Sequence, residues 1–262
     1  MQRLLKRTGK VFGKIYLVVC VVLWGIQGSV LFRPVPYEDP TPARSSVEYE
    51  IVVDETKNIK SRGYIVNETI PGPVILFFCG RAHDAAYLTN SLERIKFPAV
   101  LPNYRGYGKS DGRPSEKNII ADAKITLQMV RERFPDRPII LMGDSLGSAV
   151  ALHTVDPNIA GTILISPFRS LAHVANRGLL RAVPLRLLIR NKFDTRANLD
   201  TLPEKVLVVY SKEDKIIRAK ETERVLERIP QADIIVDDES HIGVLPYNEH
   251  KITQWLEENF KH

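Results

Sequence analysis

The chain has 262 residues, enough for one substantial hydrophobic core. With 44% apolar and 26% charged residues, it excludes a wholly disordered polypeptide. Much of the net charge of +6 comes from the first fourteen residues and from 169–196. No domain-wide basic stripe with interleaved aromatics is present, so no nucleic-acid partner is read.

In chain order, the first predicted element is a membrane anchor. Arg3, Lys6, Arg7, Lys10 and Lys14 precede an apolar run over 15–32, interrupted only by Gly25, Gln27, Gly28 and Ser29. Those eighteen residues, at ~1.5 Å rise each, reach about 27 Å, just enough for a bilayer core. The small-x-small pattern of a cleavage site is poor, because Ile26 stands two places before Gly28. The pattern predicts an uncleaved, single-pass signal anchor over 1–34. Its basic N-terminus is cytoplasmic, and the remainder lies in periplasm or lumen. A cleaved signal peptide and a buried or peripheral helix are the alternatives. Residues 35–46 are Pro-rich and read as an extended linker. Every candidate catalytic residue lies beyond it, so deletion of 1–34 is expected to leave a soluble, active domain.

Residues 47–262 read as one α/β domain. Segments 47–53 and 63–66 form a leading hairpin. Segments 73–79 (PVILFFC), 99–102, 138–142, 163–165, 206–209 and 234–236 are short and apolar, as expected for strands of a sheet covered on both faces. Residues 115–134 form a long helix, with Ile119, Ala123, Leu127 and Val130 at helical spacing and Ser115 as its cap. Another helix follows the turn after Met142, and a last one covers about 249–260. Strands separated by helices imply a mostly parallel central sheet with helices on both faces. Cys20 lies in the apolar run and Cys79 ends a strand, so neither a disulfide nor a metal site is read.

The strongest chemical signal is Gly143-Asp144-Ser145-Leu146-Gly147, between the strand PIILM and a helical run. A strand-to-helix turn of this kind is the context of a nucleophile elbow, with Ser145 as the nucleophile. Serine needs a base within hydrogen-bond reach and an acid that orients the base. His241, in a loop directly after the last strand, is the expected base, with His173 and His250 as alternatives. Asp214, after the strand KVLVVY, is the expected acid, with Glu213 as the alternative. Asp237 and Asp238 read as a solvated strand end and Asp194 as structural. The oxyanion hole needs two backbone N–H groups. Leu146 is expected to supply one, and Arg81, or else Ala82, the other.

At these residues the chain resembles the α/β-hydrolase superfamily. It looks most like the branch of small membrane-anchored hydrolases grouped with serine aminopeptidase-like domains, which includes protein depalmitoylases. The matching pieces are NYRGYGKS at 103–110, the GDSLG elbow, KFDT at 192–195, the Asp214 and His241 loops and the N-terminal anchor. The resemblance covers roughly 47–260 and implies a small helical cap, placed at about 168–200. The branch usually carries His-Gly-Asn after its third strand, where this chain has Cys79-Gly80-Arg81. Gly80 is kept, but the side chains that brace that loop in the branch are missing. Cys79 reads as a small core residue.

The expected activity is hydrolysis of a carboxylic ester or thioester through an acyl-enzyme, at a membrane surface and without a cofactor. Thiolate and alkoxide leave more easily than amine. A serine peptidase, or a catalytically silent protein of this fold binding a partner or lipid, is the alternative. The cap segment carries Arg169, Arg177, Arg181, Arg186, Arg190, Lys192 and Arg196 interleaved with leucines. It is either a solvated basic face or a surface that lies on anionic lipid.

Overall fold

The computed structural model describes residues 2–34 and 40–260, with side chains from residue 13 onward. Helix α1 spans Gln2–Leu31. Within it, Gly13–Leu31 is long and apolar enough to cross a membrane and is almost wholly exposed. Of the Pro-rich stretch expected as a linker, 35–39 lie outside the described residues. Its later part is tied to the domain: the Ala43 N–H donates to Thr89 Oγ1 at 2.8 Å and the Ser45 N–H to Glu93 at 2.9 Å.

Among the described residues, eight strands form one sheet: β1 (Val47–Asp54), β2 (Ile59–Val66), β3 (Val74–Phe78), β4 (Ala99–Pro102), β5 (Ile139–Asp144), β6 (Gly161–Ile165), β7 (Val206–Ser211) and β8 (Asp233–Asp237). Their spatial order is β1-β2-β4-β3-β5-β6-β7-β8. The leading hairpin pairs antiparallel, β2 pairs antiparallel with β4, and every later pair is parallel. Side chains alternate between faces along each strand, so β3 sends Leu76 and Phe78 into one core layer and Ile75 and Phe77 into the other. The first layer is covered by α3 (Glu116–Arg133), α4 (Leu146–Thr154) and α7 (Ala219–Leu226), the second by α2 (Ala85–Ile95) and α8 (Val244–Phe260). β3 to β7 are buried throughout, which is why they read as continuous apolar runs. The sheet is mostly parallel, as the pattern predicts.

The cap between β6 and β7 is a series of short pieces: α5 (Leu171–Ala175), a 3-10 turn Gly178–Ala182, α6 (Leu185–Leu188) and a second 3-10 turn Asn198–Thr201. Two helices escape the sequence pattern. α2 buries Ala85, Ala86, Thr89 and Ser91 beside Leu92 and Ile95, and α7 buries only Thr222 and Val225, so neither has a full apolar stripe. α8 begins at Val244, about five residues before the expected start. Pro246 looks like a breaker there. It falls in the first turn, where its missing N–H has no partner to lose.

Candidate active site

The C-terminal ends of β5, β7 and β8 meet at one edge of the sheet, where ligands bind in open α/β sheets. β5 ends at Asp144, and the chain reverses through Ser145 at φ +53°, ψ −112° before α4 starts at Leu146. This strained turn is possible because its flanks are glycines. A β-carbon at Gly143 would lie 2.1 Å from the Gly147 carbonyl oxygen, and one at Gly147 1.9 Å from the Phe78 carbonyl oxygen. The Ser145 N–H is held by the Ile165 carbonyl at 2.9 Å. As the first residue of α4, Leu146 has an N–H without an intrahelical acceptor, at the positive end of the helix.

Ser145 Oγ lies 3.0 Å from His241 Nε2, and His241 Nδ1 lies 2.5 Å from Asp214 Oδ2. Asp214 is 4% exposed. Its Oδ1 accepts the Ile216 and Ile217 N–H groups at 2.8 Å each, and Oδ2 also accepts Ser166 Oγ–H at 3.1 Å. These bonds leave the carboxylate one orientation, toward His241. The His241 loop is fixed in turn: Ser211 Oγ–H donates to the Glu239 carbonyl, and Asn248 on α8 donates to Asp237. The structure therefore brings Ser145, His241 and Asp214 into one hydrogen-bonded chain. It keeps the alternatives apart: His173 bonds Ser170 Oγ inside the cap, and Glu213 and His250 are exposed.

Burial alone would lower the His241 pKa. The hydrogen bond to Asp214 and the negative charges of Asp144 and Asp214 outweigh it, so the imidazole titrates above its ordinary value. Asp144 is the residue the sequence reading missed. It is buried, and burial raises its own pKa against the opposing pull of His241 and His83. Its charge acts on the imidazole although it stands inside the elbow motif, where only Ser145 attracts notice.

The loop after β3 is braced from outside. Tyr104 Oη–H donates to the Cys79 carbonyl and Tyr107 Oη–H to the Arg81 carbonyl, both at 2.7 Å. Arg105 makes a buried two-pronged ion pair with Asp122 (2.7 and 2.8 Å) that fixes the segment carrying both tyrosines. The YRGYGKS motif thus supplies the bracing that the missing His and Asn side chains suggest is lost. The Cys79 thiol is 1% exposed, and burial, with the Asp144 and Asp84 charges, pushes its pKa well up, as befits a core residue.

Above Ser145 opens an apolar cavity of about 340 Å³, lined on one side by the cap and on another by α1. The Arg81 guanidinium donates to the Val30 carbonyl at 2.8 Å, and the Arg33 N–H reaches both Tyr107 Oη (3.1 Å) and the Arg81 carbonyl (3.3 Å). Phe32 is 3% exposed and sits edge-on to Phe193. The last turns of α1 and the residues that follow, 23–33, are therefore part of this site's surroundings. The basic cap residues also divide. Arg169 pairs with Glu221, Arg196 with Asp194, and Arg190 stacks on Trp24 at 4.5 Å, so part of the exposed set is already engaged within the protein.

Residues 74–193 match the family of serine aminopeptidases, S33. An uncharacterized protein of Mycobacterium tuberculosis, Rv2307c, is 31% identical over 221 residues, covering 79% of this chain and 77% of that protein. The α/β hydrolase domain-containing protein WAV2 of Arabidopsis thaliana is 28% identical over 181 residues, 63% of this chain and 59% of its own length. Among solved structures, the esterase Pf2001 of Pyrococcus furiosus superposes with a TM-score of 0.65 at 18% identity, covering 85% of this chain and 98% of that one. The chain belongs to the α/β-hydrolase superfamily. Within an α/β-hydrolase, an elbow serine, a histidine after the last strand and an acid after the strand before it stand in the chain order Ser, Asp, His. Two contributions lay beyond sequence reasoning: the buried Asp144 carboxylate, and the tyrosine hydroxyls, which bond backbone more than twenty residues away.

Proposed function

We propose that the protein is a serine hydrolase that cleaves a carboxylic ester or thioester through an acyl-enzyme at a membrane surface. The observation that carries this reading is the Ser145–His241–Asp214 hydrogen-bonded chain opening onto an apolar cavity. His241 Nε2 takes the Ser145 hydroxyl proton as Oγ bonds to the substrate carbonyl carbon. The Leu146 and Arg81 amides hold the developing oxyanion. His241 then gives the proton to the leaving alkoxide or thiolate, and the ester bond breaks. A water molecule, deprotonated by His241, releases the acid and restores Ser145. Asp214 keeps the imidazole in the correct tautomer and stabilises its charged form. These residues need no metal or organic cofactor for the sequence of steps.

The membrane reading rests on α1 and the cap. Residues 1–34 act as a single-pass anchor with the basic end cytoplasmic, and residues 47–262 as the hydrolase domain beyond the membrane. In the cap, Leu179 and Leu187 are 94% and 84% exposed, close in sequence to Arg181 and Arg186. Apolar side chains beside cations suit contact with an anionic lipid surface. The serine aminopeptidase name of the matching family favours a competing reading, amide hydrolysis.

Turnover of a p-nitrophenyl ester series tests the proposal. Activity in the full-length protein that is lost in Ser145→Ala and in His241→Ala supports it. Absence of turnover in folded wild type supports a silent binding protein, and faster cleavage of aminoacyl or prolyl amides than of esters supports a peptidase.

A further inference from the structure

We propose that the C-terminal turns of α1 form one wall of the acyl-chain subsite, so that the anchor decides which chain lengths are cleaved and takes the chain directly from the bilayer. This rests on the reading of Ser145 as nucleophile. Leu23, Ile26, Gln27, Val30 and Leu31 all line the cavity whose floor is Ser145 and Leu146. Their spacing is i, i+3, i+4, i+7, i+8, a single face of a helix. A simple tether would show no such selection, and α1 is docked as well as tethered. Both ends of the Gln27 amide are used by the cap: Nε2 donates to the Leu188 carbonyl at 3.1 Å and Oε1 accepts the Arg190 N–H at 2.7 Å. The Tyr16 hydroxyl donates to the Ala182 carbonyl at 2.8 Å. A polar side chain on an otherwise apolar helix needs partners of this kind, and here they belong to the cap.

The occupant is a hydrocarbon chain. The cavity is continuous with Ser145, and the facing cap residues Leu180, Leu185 and Leu188 are apolar like the α1 wall. Val30 lies at the reactive end, because its carbonyl is held by Arg81. Leu23 is seven residues earlier, roughly 10 Å along the helix at ~1.5 Å per residue. A short acyl group stays beside Val30, whereas a long one runs on past Ile26 to Leu23. Val18 and Val21 stand on the opposite face of the same helix, away from the cavity lining, and are free to meet lipid. One helix thickness therefore separates the bilayer from the subsite.

The test uses the full-length protein in lipid vesicles. In Leu23→Trp and Ile26→Trp, the ratio of kcat/KM for a palmitoyl ester over an acetyl ester should fall at least about tenfold, the scale on which apolar pockets discriminate size. In Val21→Trp, on the lipid-facing side, the ratio should stay as in wild type. A ratio unchanged in both pocket variants overturns the proposal, as does an equal fall in the Val21→Trp control. A diazirine-bearing fatty acid, photolysed on Ser145→Ala protein and located by mass spectrometry, gives a readout independent of turnover. Crosslinks on Leu23, Ile26 or Val30 support the wall even if wild type proves inactive, which would sink only the nucleophile reading. Crosslinks spread evenly over all faces of α1 contradict the wall.

Discussion

On the floor of the cleft, backbone geometry fixes Ser145: φ is +53°, and β-carbons at 143 or 147 would overlap main-chain atoms. Behind it, Asp214 is held by two backbone N–H groups and the Ser166 hydroxyl. The roof is built differently. Cap helices α5 and α6 are five and four residues long, and α1 meets the cap through Gln27, Tyr16 and the Trp24–Arg190 stack. Helices this short have little stability of their own. The floor is thus set by the fold alone, while the shape of the roof depends on α1 and on what surrounds it. Arg81 is where the two meet: its carbonyl is bound by Tyr107 from the domain, and its guanidinium binds the end of α1.

The largest effect that tests this contrast comes from removing residues 1–34. The deletion takes away buried Phe32, the Val30 carbonyl and the Arg33 N–H. Loss of a buried phenylalanine costs about 3 kcal/mol or more, roughly a 10 °C lower melting temperature for a domain of this size. Hydrolysis of long-chain esters should fall about a hundredfold, on the scale that a displaced catalytic group produces. Calorimetry and an ester series read both. A truncated domain that melts with full-length protein and keeps its long-chain turnover would make the roof independent of α1.

Next in size is Tyr107→Phe, which removes one hydroxyl bond to the Arg81 carbonyl and keeps the ring. The expected result is a fall in kcat of about tenfold with KM little changed, because the loss is one of oxyanion-loop positioning. A change confined to KM would assign the loop to substrate binding instead.

The third prediction sharpens the floor. His241 must be neutral to act as a base, and its pKa lies above the ordinary value. Activity should therefore rise with pH through a limb above the unperturbed histidine value of about 6.5. In Asp144→Asn one of the charges that favour imidazolium is gone, so the limb should move to lower pH. A pH profile of kcat/KM that is superimposable on wild type would remove Asp144 from the account.

The smallest effect belongs to the outer surface. Each basic residue near an anionic leaflet contributes on the order of 1 kcal/mol. Arg181→Gln with Arg186→Gln should weaken the preference for anionic over neutral vesicles, and added salt should weaken it in wild type. Arg190 is left out because it stacks on Trp24. A preference unaffected by both changes marks the cap as a solvated face.

These contrasts also explain what was legible in the sequence. The inner strands β3 to β7 are buried on both faces, so each reads as an apolar run of strand length. Ser145, Asp214 and His241 each stand in a short local context, directly after a strand, and chain order does the rest. α2 was invisible because it buries Thr89, Ser91 and alanines. The face of α1 that lines the cavity was invisible for the opposite reason: Gly13–Leu31 is apolar nearly all round, so periodicity cannot mark one face of it. The bracing of the Cys79-Gly80-Arg81 loop was hidden because tyrosine hydroxyls bond backbone carbonyls far away in sequence, a contact with no local pattern.

The measurement closest to the central claim is labelling of the folded, full-length protein with a fluorophosphonate, followed by intact-mass and peptide analysis. One adduct on the peptide carrying Ser145, absent in Ser145→Ala and strongly slowed in His241→Ala, is the predicted result. No adduct on wild type, or one that persists in Ser145→Ala, would contradict a serine hydrolase built on this site.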